Sequence, residues 1–314
     1  MDKSVAQQLQ GLSPDEQRAL LQKLLLEKKA KQQTKTAVLS FGQERLWFLH
    51  QLDSANAAYN LRTAVRLQGN LNMQALSQSI QAVVDRHEGL RTRIVADNGR
   101  SQQQIQSQLE VPLPIIDLTN VADDERETAV QQQSDAEAQA PFNLEKGPLF
   151  RAKLLKLQPN EHILLLTMHH IISDGWSIGI LIREIATLYQ TKVANLPSPL
   201  PEISVQYADF ATWQREWLQG ETLERQLDYW REQLADTAVV DLPTDYPRPN
   251  VQTFAGARHY FTILPEVADQ FHQLSHDENS TLFMALLAAF NILLFIYSRQ
   301  TDIAVGTPVA GRNR

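Results

Sequence analysis

The 314-residue sequence contains no cysteine, and that absence removes several kinds of chemistry at once. Disulfide bonds, thiolate nucleophiles, iron–sulfur clusters and zinc sites with thiolate ligands all depend on this residue. We expect a cytoplasmic protein, because disulfides are rare in that compartment, with its reactive groups drawn from other side chains.

Basic residues are fewer than acidic ones, with 29 Lys and Arg against 36 Asp and Glu and a formal net charge of −7. Binding to nucleic acid requires a clustered basic surface that neutralises phosphates, and the sequence contains no basic stripe. A nucleic-acid partner is therefore not expected.

A long uninterrupted apolar run is also missing. The longest such stretch, residues 281–297, is interrupted by Asn291 and is shorter than the roughly 20 residues of a membrane-spanning helix. The first residues, MDKSVAQ, lack the apolar core of a secretory signal. We predict a soluble protein without a membrane partner, in which residues 281–297 form a buried core helix.

Helix and strand signals divide the chain into three parts. Residues 1–36 are predicted to be a helical leader that serves for docking or as an inter-domain linker, since Ser13 and Glu16 are typical of a capping box. Helix and strand patterns alternate over residues 37–240, and a new set of elements begins at 241–314. We predict one lobe over residues 37–240 and the beginning of a second over 241–314.

The clearest element of the first lobe is a β-hairpin. Residues 149–157 and 162–168 flank a turn at Pro159, and the second strand is apolar on both faces, which is typical of a covered central strand. A helix capped by Ser177 follows. Helical spacing places the aromatic residues of 207–217 and 223–234 in the core. The glutamine-rich residues 100–108 and 130–140 indicate solvated surface.

Two adjacent histidines, His169 and His170, end the second strand of this hairpin and precede the turn at Asp174 and Gly175. Successive strand side chains point to opposite faces, so one imidazole is expected in a cavity and the other inside the fold. A structural histidine pair and a metal site of His169, His170 and Asp174 are the alternatives. General acid–base or electrostatic chemistry is favoured, because a histidine titrates near neutral pH.

The histidines and four further segments resemble the motifs of the condensation domains of nonribosomal peptide synthetases. Residues 169–177 (HHIISDGWS) match the HHxxxDG motif of that family. The other four are, in chain order, residues 40–49 (SFGQERLWFL), 86–92 (RHEGLRT), 207–213 (YADFATW) and 305–313 (VGTPVAGRN). Five motifs in the expected order are far more specific than the histidine motif alone.

The resemblance implies an α/β fold like that of chloramphenicol acetyltransferase, with a lobe built on a central mixed sheet and flanking helices and the start of a second similar lobe. It implies amide bond formation between an upstream carrier-bound acyl or peptidyl thioester and a downstream carrier-bound aminoacyl amine. The partners would be carrier domains and an adjacent adenylation domain. No cofactor or metal would be bound directly, since substrates arrive on phosphopantetheine arms.

The site residues implied by the resemblance centre on His170 as the catalytic histidine, acting as a general base or as an electrostatic stabiliser. His169 would support it from inside the fold. Asp174 would be structural and pair with Arg86 or Arg91. Gly175 would let the backbone approach the donor thioester closely, since it has no Cβ.

The alternatives within and outside this family stay open at this point. An epimerization domain shares the histidine motif, although the first and second motifs favour condensation. Heterocyclization domains carry an aspartate motif in place of the paired histidines, and plant-type acyltransferases carry a DFGWG motif; this sequence contains neither. A non-catalytic carrier-docking fragment is the alternative from another class. The sequence ends at Arg314 and contains five of the family's motifs but not its last two. We therefore expect a fragment that is inactive in isolation.

Overall fold

A computed structural model describes residues 34–97, 99–250, 256, 259 and 261–309. The strands are β1 Thr34–Val38, β2 Asn60–Gln68, β3 Thr92–Asp97, β4 Arg100–Gln106, β5 Ile115–Asp117, β6 Phe150–Gln158 and β7 Glu161–His169. The helices are α1 Phe41–Leu52, α2 Met73–Arg86, α3 Asp123–Gln139, α4 Gly175–Val193, α5 Tyr207–Trp217, α6 Gly220–Gln233, α7 Pro265–Asp277 and α8 Leu282–Ser298. A 3₁₀ turn, Glu88–Arg91, joins α2 to β3.

The strands form two sheets. A four-stranded sheet has the order β2-β7-β6-β5, in which β5 runs parallel to β6 and the other pairs are antiparallel. A smaller antiparallel sheet has the order β1-β4-β3. The fold is therefore α/β with a central mixed sheet, as predicted.

Strand β7 is the centre of the larger sheet and is covered on both faces. Leu164, Leu166 and Met168 pack in one cluster with the buried faces of α2 and α4. Leu165 and Ile163 point the other way, into a cluster with Val130 of α3. The prediction of a central strand apolar on both sides is confirmed.

Helix α3 is held to the sheet mainly by charge, because Val130 is its one buried residue. Its acidic side chains reach basic residues on β2 and β6. The pairs are Asp135–Arg62 at 2.6 Å, Glu127–Arg66 at 2.5 Å, Glu137–Lys153 at 2.7 Å and Glu137–Arg151 at 3.2 Å. Asn60 and Arg151 also donate to the carbonyl oxygens at the end of the helix.

The structure corrects two predictions about polar segments. Thr34, Lys35 and Thr36 are not linker but the beginning of β1, which pairs with β4. The glutamine-rich residues 100–106 are likewise not solvated surface: they form the middle strand of the small sheet, where Gln103 and Ile105 are buried. Glutamine side chains can satisfy buried backbone groups, and Gln103 does so by donating to the Val38 carbonyl at 2.7 Å.

The chain divides into a first compact unit that ends at Leu218 and a second that begins at Gln219. This division lies one helix, α6, before the predicted lobe boundary at residue 240. The predicted leader helix lies outside the described residues. In the second unit, α8 contains no buried residue, so the prediction of a buried core helix is wrong.

The aromatic helices also differ from expectation. Trp213 and Trp217 stack face to face on α5 with ring centroids 5.4 Å apart, yet both remain more than a third exposed. The buried residues of α5 are instead Ala208 and Ala211, and α6 contains none. The segments are helical as predicted, but small residues rather than aromatic ones face the interior of the first unit.

Among the residues that the structure describes, no single helix is long and apolar enough to cross a membrane. Helices α7 and α8 satisfy that length and composition only when taken together, and they are bent by 109° relative to each other.

We predict that Glu137→Gln lowers the free energy of unfolding by about 2 kcal/mol at pH 7, because it removes a charged hydrogen-bond acceptor for two basic residues. Burial opposes ionisation of Glu137, but Lys153 and Arg151 outweigh it and lower the pKa of the carboxyl below 4.5. The difference from the unaltered chain therefore exists above pH 4.5 and disappears as the pH falls through that lowered pKa.

Urea unfolding at several pH values measures this difference. The matched control is Glu127→Gln on the same helix. Because the Glu127 side chain is 69% exposed, this substitution should lower the free energy of unfolding by less than about 0.5 kcal/mol. Equal losses for the two variants would show that α3 is not held by Glu137.

Candidate active site

The site lies at the end of strand β7, where a run of buried residues is followed by an exposed one. His169 is the last residue of the strand and is 3% exposed. Its ring lies among the rings of Phe142, Tyr59 and His50, with centroids 6.2 to 6.4 Å away. His170, the next residue, is exposed. The adjacent histidines thus occupy different environments. Because β7 is buried on both faces, the end of the strand separates them and not the alternation of its side chains.

The ionisation state of His169 follows from its surroundings. Burial lowers the pKa of His169 from 6.5 to about 4, with smaller contributions in the same direction from the neighbouring His50 and His170. The ring is therefore neutral at pH 7. Its Nδ1 accepts a hydrogen bond from the Ile171 N–H at 3.1 Å, which assigns the remaining ring proton to Nε2.

The main chain around His170 is held on both sides. The His170 N–H donates to the Tyr59 carbonyl at 2.8 Å, and the Ile172 N–H donates to the His169 carbonyl at 3.1 Å. Together with the bond from Ile171 to the His169 ring, these contacts form a tight turn directly after the strand. The His170 imidazole is thus presented at the surface from a constrained backbone.

Asp174 begins the helix that follows this turn. It is the N-cap of α4, and its side chain accepts from the Ser177 N–H at 2.8 Å and from the Ser177 hydroxyl at 2.6 Å. The predicted cap, Ser177, is therefore the donor in this arrangement and not the capping residue. Gly175 follows at the first position of the helix and is exposed, and a Cβ built on it would meet nothing within 4 Å.

Arg86 and Arg91 bind acceptors other than the predicted Asp174. The Arg86 guanidinium lies 3.3 Å from the Glu184 carboxylate and also donates to the Pro201 carbonyl. Arg91 donates to main-chain carbonyl oxygens at the end of α2 and of β4. The predicted pairing with Asp174 is not formed among the described residues, where one arginine binds a carboxylate and the other binds main-chain carbonyls at the ends of α2 and β4.

The first motif contacts the histidine motif through one buried amide. Gln43 is 2% exposed, and it forms a capping box with Ser40 at the start of α1. The Gln43 Nε2 group donates to the Ile171 carbonyl and to Gln103, both at 3.2 Å. The residue after His170 is therefore anchored by a side chain 128 positions away in the sequence.

The second and fourth motifs join the same cluster. The Tyr207 hydroxyl lies 2.9 Å from the Ser40 hydroxyl. Gln206, just before the fourth motif, accepts from the Glu88 N–H at 3.1 Å and donates to the Arg86 carbonyl at 3.0 Å. Four of the five motifs are therefore packed together in the first unit; the fifth lies in the second unit, with its last residues outside the described part of the chain.

Sequence reasoning missed Glu184 and Gln206 as members of this cluster. The position of Glu184 could have been predicted from the sequence, since it lies at helical spacing from Leu181 and Leu188 on the apolar face of α4. The position of Gln206 could not, because nothing in its local sequence distinguishes it from a surface glutamine. Within the described residues no group of three or more His, Asp or Glu side chains could hold a metal ion, so the metal-site alternative gains no support.

Comparison with known proteins gives a consistent result. The family model described as Condensation domain matches residues 33–314. A linear gramicidin synthase from Brevibacillus parabrevis is 51% identical over 278 residues, which are 88% of this chain and 4% of that protein. The chain thus spans a small part of the length of this curated relative.

Two solved structures share the fold of the chain. SgcC5 from Streptomyces globisporus is 30% identical with a TM-score of 0.70, covering 88% of this chain and 64% of that one. The four-domain nonribosomal peptide synthetase holo-AB3403 is 25% identical with a TM-score of 0.76, covering 89% of this chain and 21% of that one.

We predict that the stability of the chain falls by up to about 3 kcal/mol as the pH is lowered from 6.5 to 4 because of His169 alone. The folded chain resists protonating the buried ring, whereas the unfolded chain protonates it near pH 6.5. His169→Asn retains an acceptor close to the position of Nδ1 and does not titrate, so its unfolding free energy should depend less steeply on pH over this range. Identical slopes for the two proteins in denaturant unfolding would contradict the assignment.

Proposed function

The chain belongs to the condensation-domain family of nonribosomal peptide synthetases, and on that premise we propose that it forms amide bonds between two carrier-bound substrates. The upstream substrate is an acyl or peptidyl thioester, and the downstream substrate is an aminoacyl amine. The single observation that supports this most strongly is the histidine pair, in which His169 is buried and neutral while His170 is exposed on a constrained turn.

The proposed reaction is an aminolysis of a thioester. The amine nitrogen attacks the carbonyl carbon, a C–N bond forms, and negative charge develops on the oxygen of a tetrahedral intermediate. The C–S bond then breaks, so the acyl group is transferred to the amine, the amide product stays attached to the downstream carrier, and the upstream carrier is left as a free thiol. The proton lost by the attacking nitrogen balances the thiolate that leaves.

The role proposed for His170 lies at the attacking nitrogen. Its imidazole either accepts a proton from that nitrogen or stabilises the positive charge that develops there. Holding the two carrier arms together contributes separately, and proximity of this kind can supply about 7–11 kcal/mol of the barrier.

The partners proposed for the chain are upstream and downstream carrier domains and a neighbouring adenylation domain. This proposal is supported by the length of the linear gramicidin synthase, of which the chain spans 4%, and by the four-domain architecture of holo-AB3403. No cofactor is proposed to bind directly, since the phosphopantetheine arms belong to the carriers. We further propose that turnover requires the larger protein, so activity is to be assayed in the full-length synthetase.

We expect His170→Ala to abolish amide formation while shifting the melting temperature by less than about 2 °C, because substitutions of exposed residues change stability little. Transfer between two loaded carriers, measured by mass spectrometry of the product, tests the first part, and thermal melts test the second. Transfer at the unaltered rate would exclude a catalytic role for His170.

Gly175→Ala should leave folding intact, since the added methyl group enters open space at a helical position and alanine favours the helix by about 0.4–1 kcal/mol. We expect transfer to slow by about tenfold or more, because the methyl group would displace a thioester that approaches this backbone. Gly179→Ala is the matched control: it lies on the same helix, its Cβ also meets nothing within 4 Å, and its transfer rate should be unchanged. Equal rates for both variants would remove Gly175 from the proposed site.

A further inference from the structure

Glu184 is the one acidic residue of helix α4, and it lies on the side of the helix that faces the core. Its neighbours on that side, Leu181 and Leu188, are buried. The Glu184 side chain itself is only 12% exposed. A carboxylate in such a position must be paired if the helix is to pack against the sheet, because an unpaired buried charge is strongly unfavourable.

The two partners of Glu184 are consecutive residues at the end of α2. The His87 Nε2 atom lies 2.7 Å from one carboxylate oxygen, and the Arg86 guanidinium lies 3.3 Å from the carboxylate. The apolar faces of α2 and α4 pack in one core cluster, which already limits rotation of α4. The two polar contacts add a directional restraint, because they fix Glu184 relative to the end of α2.

The same segment of the chain also reaches the turn that carries His170. A Cβ built on Gly89, three residues after Arg86, would lie 3.6 Å from the Ile172 carbonyl oxygen. Residues 86–89 therefore bind α4 through Glu184 and lie beside the connection between His170 and α4. This segment adds to the contacts of Tyr59 and Gln43 that hold the histidine turn.

We propose that Glu184 is a positioning residue for the proposed condensation reaction: by binding Arg86 and His87 it sets the location of the α4 N-terminus, with Asp174 and Gly175, relative to His170. This inference rests on the proposed function of the site. Glu184 lies nine residues after Gly175, about 13 Å along a straight helix, so it acts through the helix and not by contact with substrate.

The decisive variant is Glu184→Gln, which retains the size of the side chain and removes its charge. We expect kcat for carrier-to-carrier transfer in the full-length synthetase to fall between about ten- and a hundred-fold, the range associated with misplacement of a reacting group. The KM for the loaded carriers should change less than about twofold, because Glu184 touches neither of them. Arg183→Gln is the matched control, since Arg183 neighbours Glu184 on the same helix and its side chain is exposed; its kcat should be unchanged.

Hydrogen exchange supplies a readout that does not depend on activity. In Glu184→Gln the amides of Ser177 and Ile178, which donate to Asp174, should exchange faster, while those in the centre of β7 should not. If Glu184→Gln does not fold, His87→Ala removes one of the two contacts and should produce the same pattern to a smaller degree.

Two results would overturn the inference. One is an unaltered kcat and unaltered exchange in Glu184→Gln; the other is faster exchange spread evenly over the whole first unit, which indicates a general loss of stability. An unaltered synthetase that forms no amide would instead refute the proposed function, while the exchange pattern would still decide whether Glu184 positions α4.

Discussion

The rest of the site depends on one constraint: strand β7 is buried up to its last residue, His169, and the residue directly after it is exposed. The strand is covered by helices on both faces, so its side chains are enclosed until His169. An imidazole in that environment stays neutral, because charging it would require moving an ion out of water. The very next residue, His170, is exposed. The contrast between the two histidines is therefore a consequence of where the helices stop covering the sheet.

Neutrality gives His169 a specific structural use. A neutral ring with its proton on Nε2 has a free acceptor at Nδ1, and the chain uses that acceptor to bind the Ile171 N–H. Gln43 then binds the Ile171 carbonyl. The residue after His170 is consequently satisfied at both its donor and its acceptor, and little freedom remains for the turn that presents the exposed imidazole.

Hydrogen bonds between side chains distant in the sequence act together with apolar packing to hold the motifs in one place. Ser40, Gln43, Gln206 and Tyr207 form hydrogen bonds that join the first, second, third and fourth motifs in one unit. On the opposite face of the sheet, helix α3 combines the apolar cluster around Val130 with ion pairs to β2 and β6. The directional contacts add a specific geometry to the burial of apolar side chains.

The sequence by itself determined the hairpin, the covered central strand and the family, because each of these depends on local periodicity or on short motifs. Only the tertiary structure decided the partners of the charged residues. Arg86 binds Glu184 rather than the predicted Asp174, since a folded chain brings together groups that are 98 residues apart in the sequence. It also decided that Gln103 is buried while Trp213 stays 40% exposed. The helical or strand period of a sequence predicts which residues share a face, but the neighbouring elements determine which face they cover.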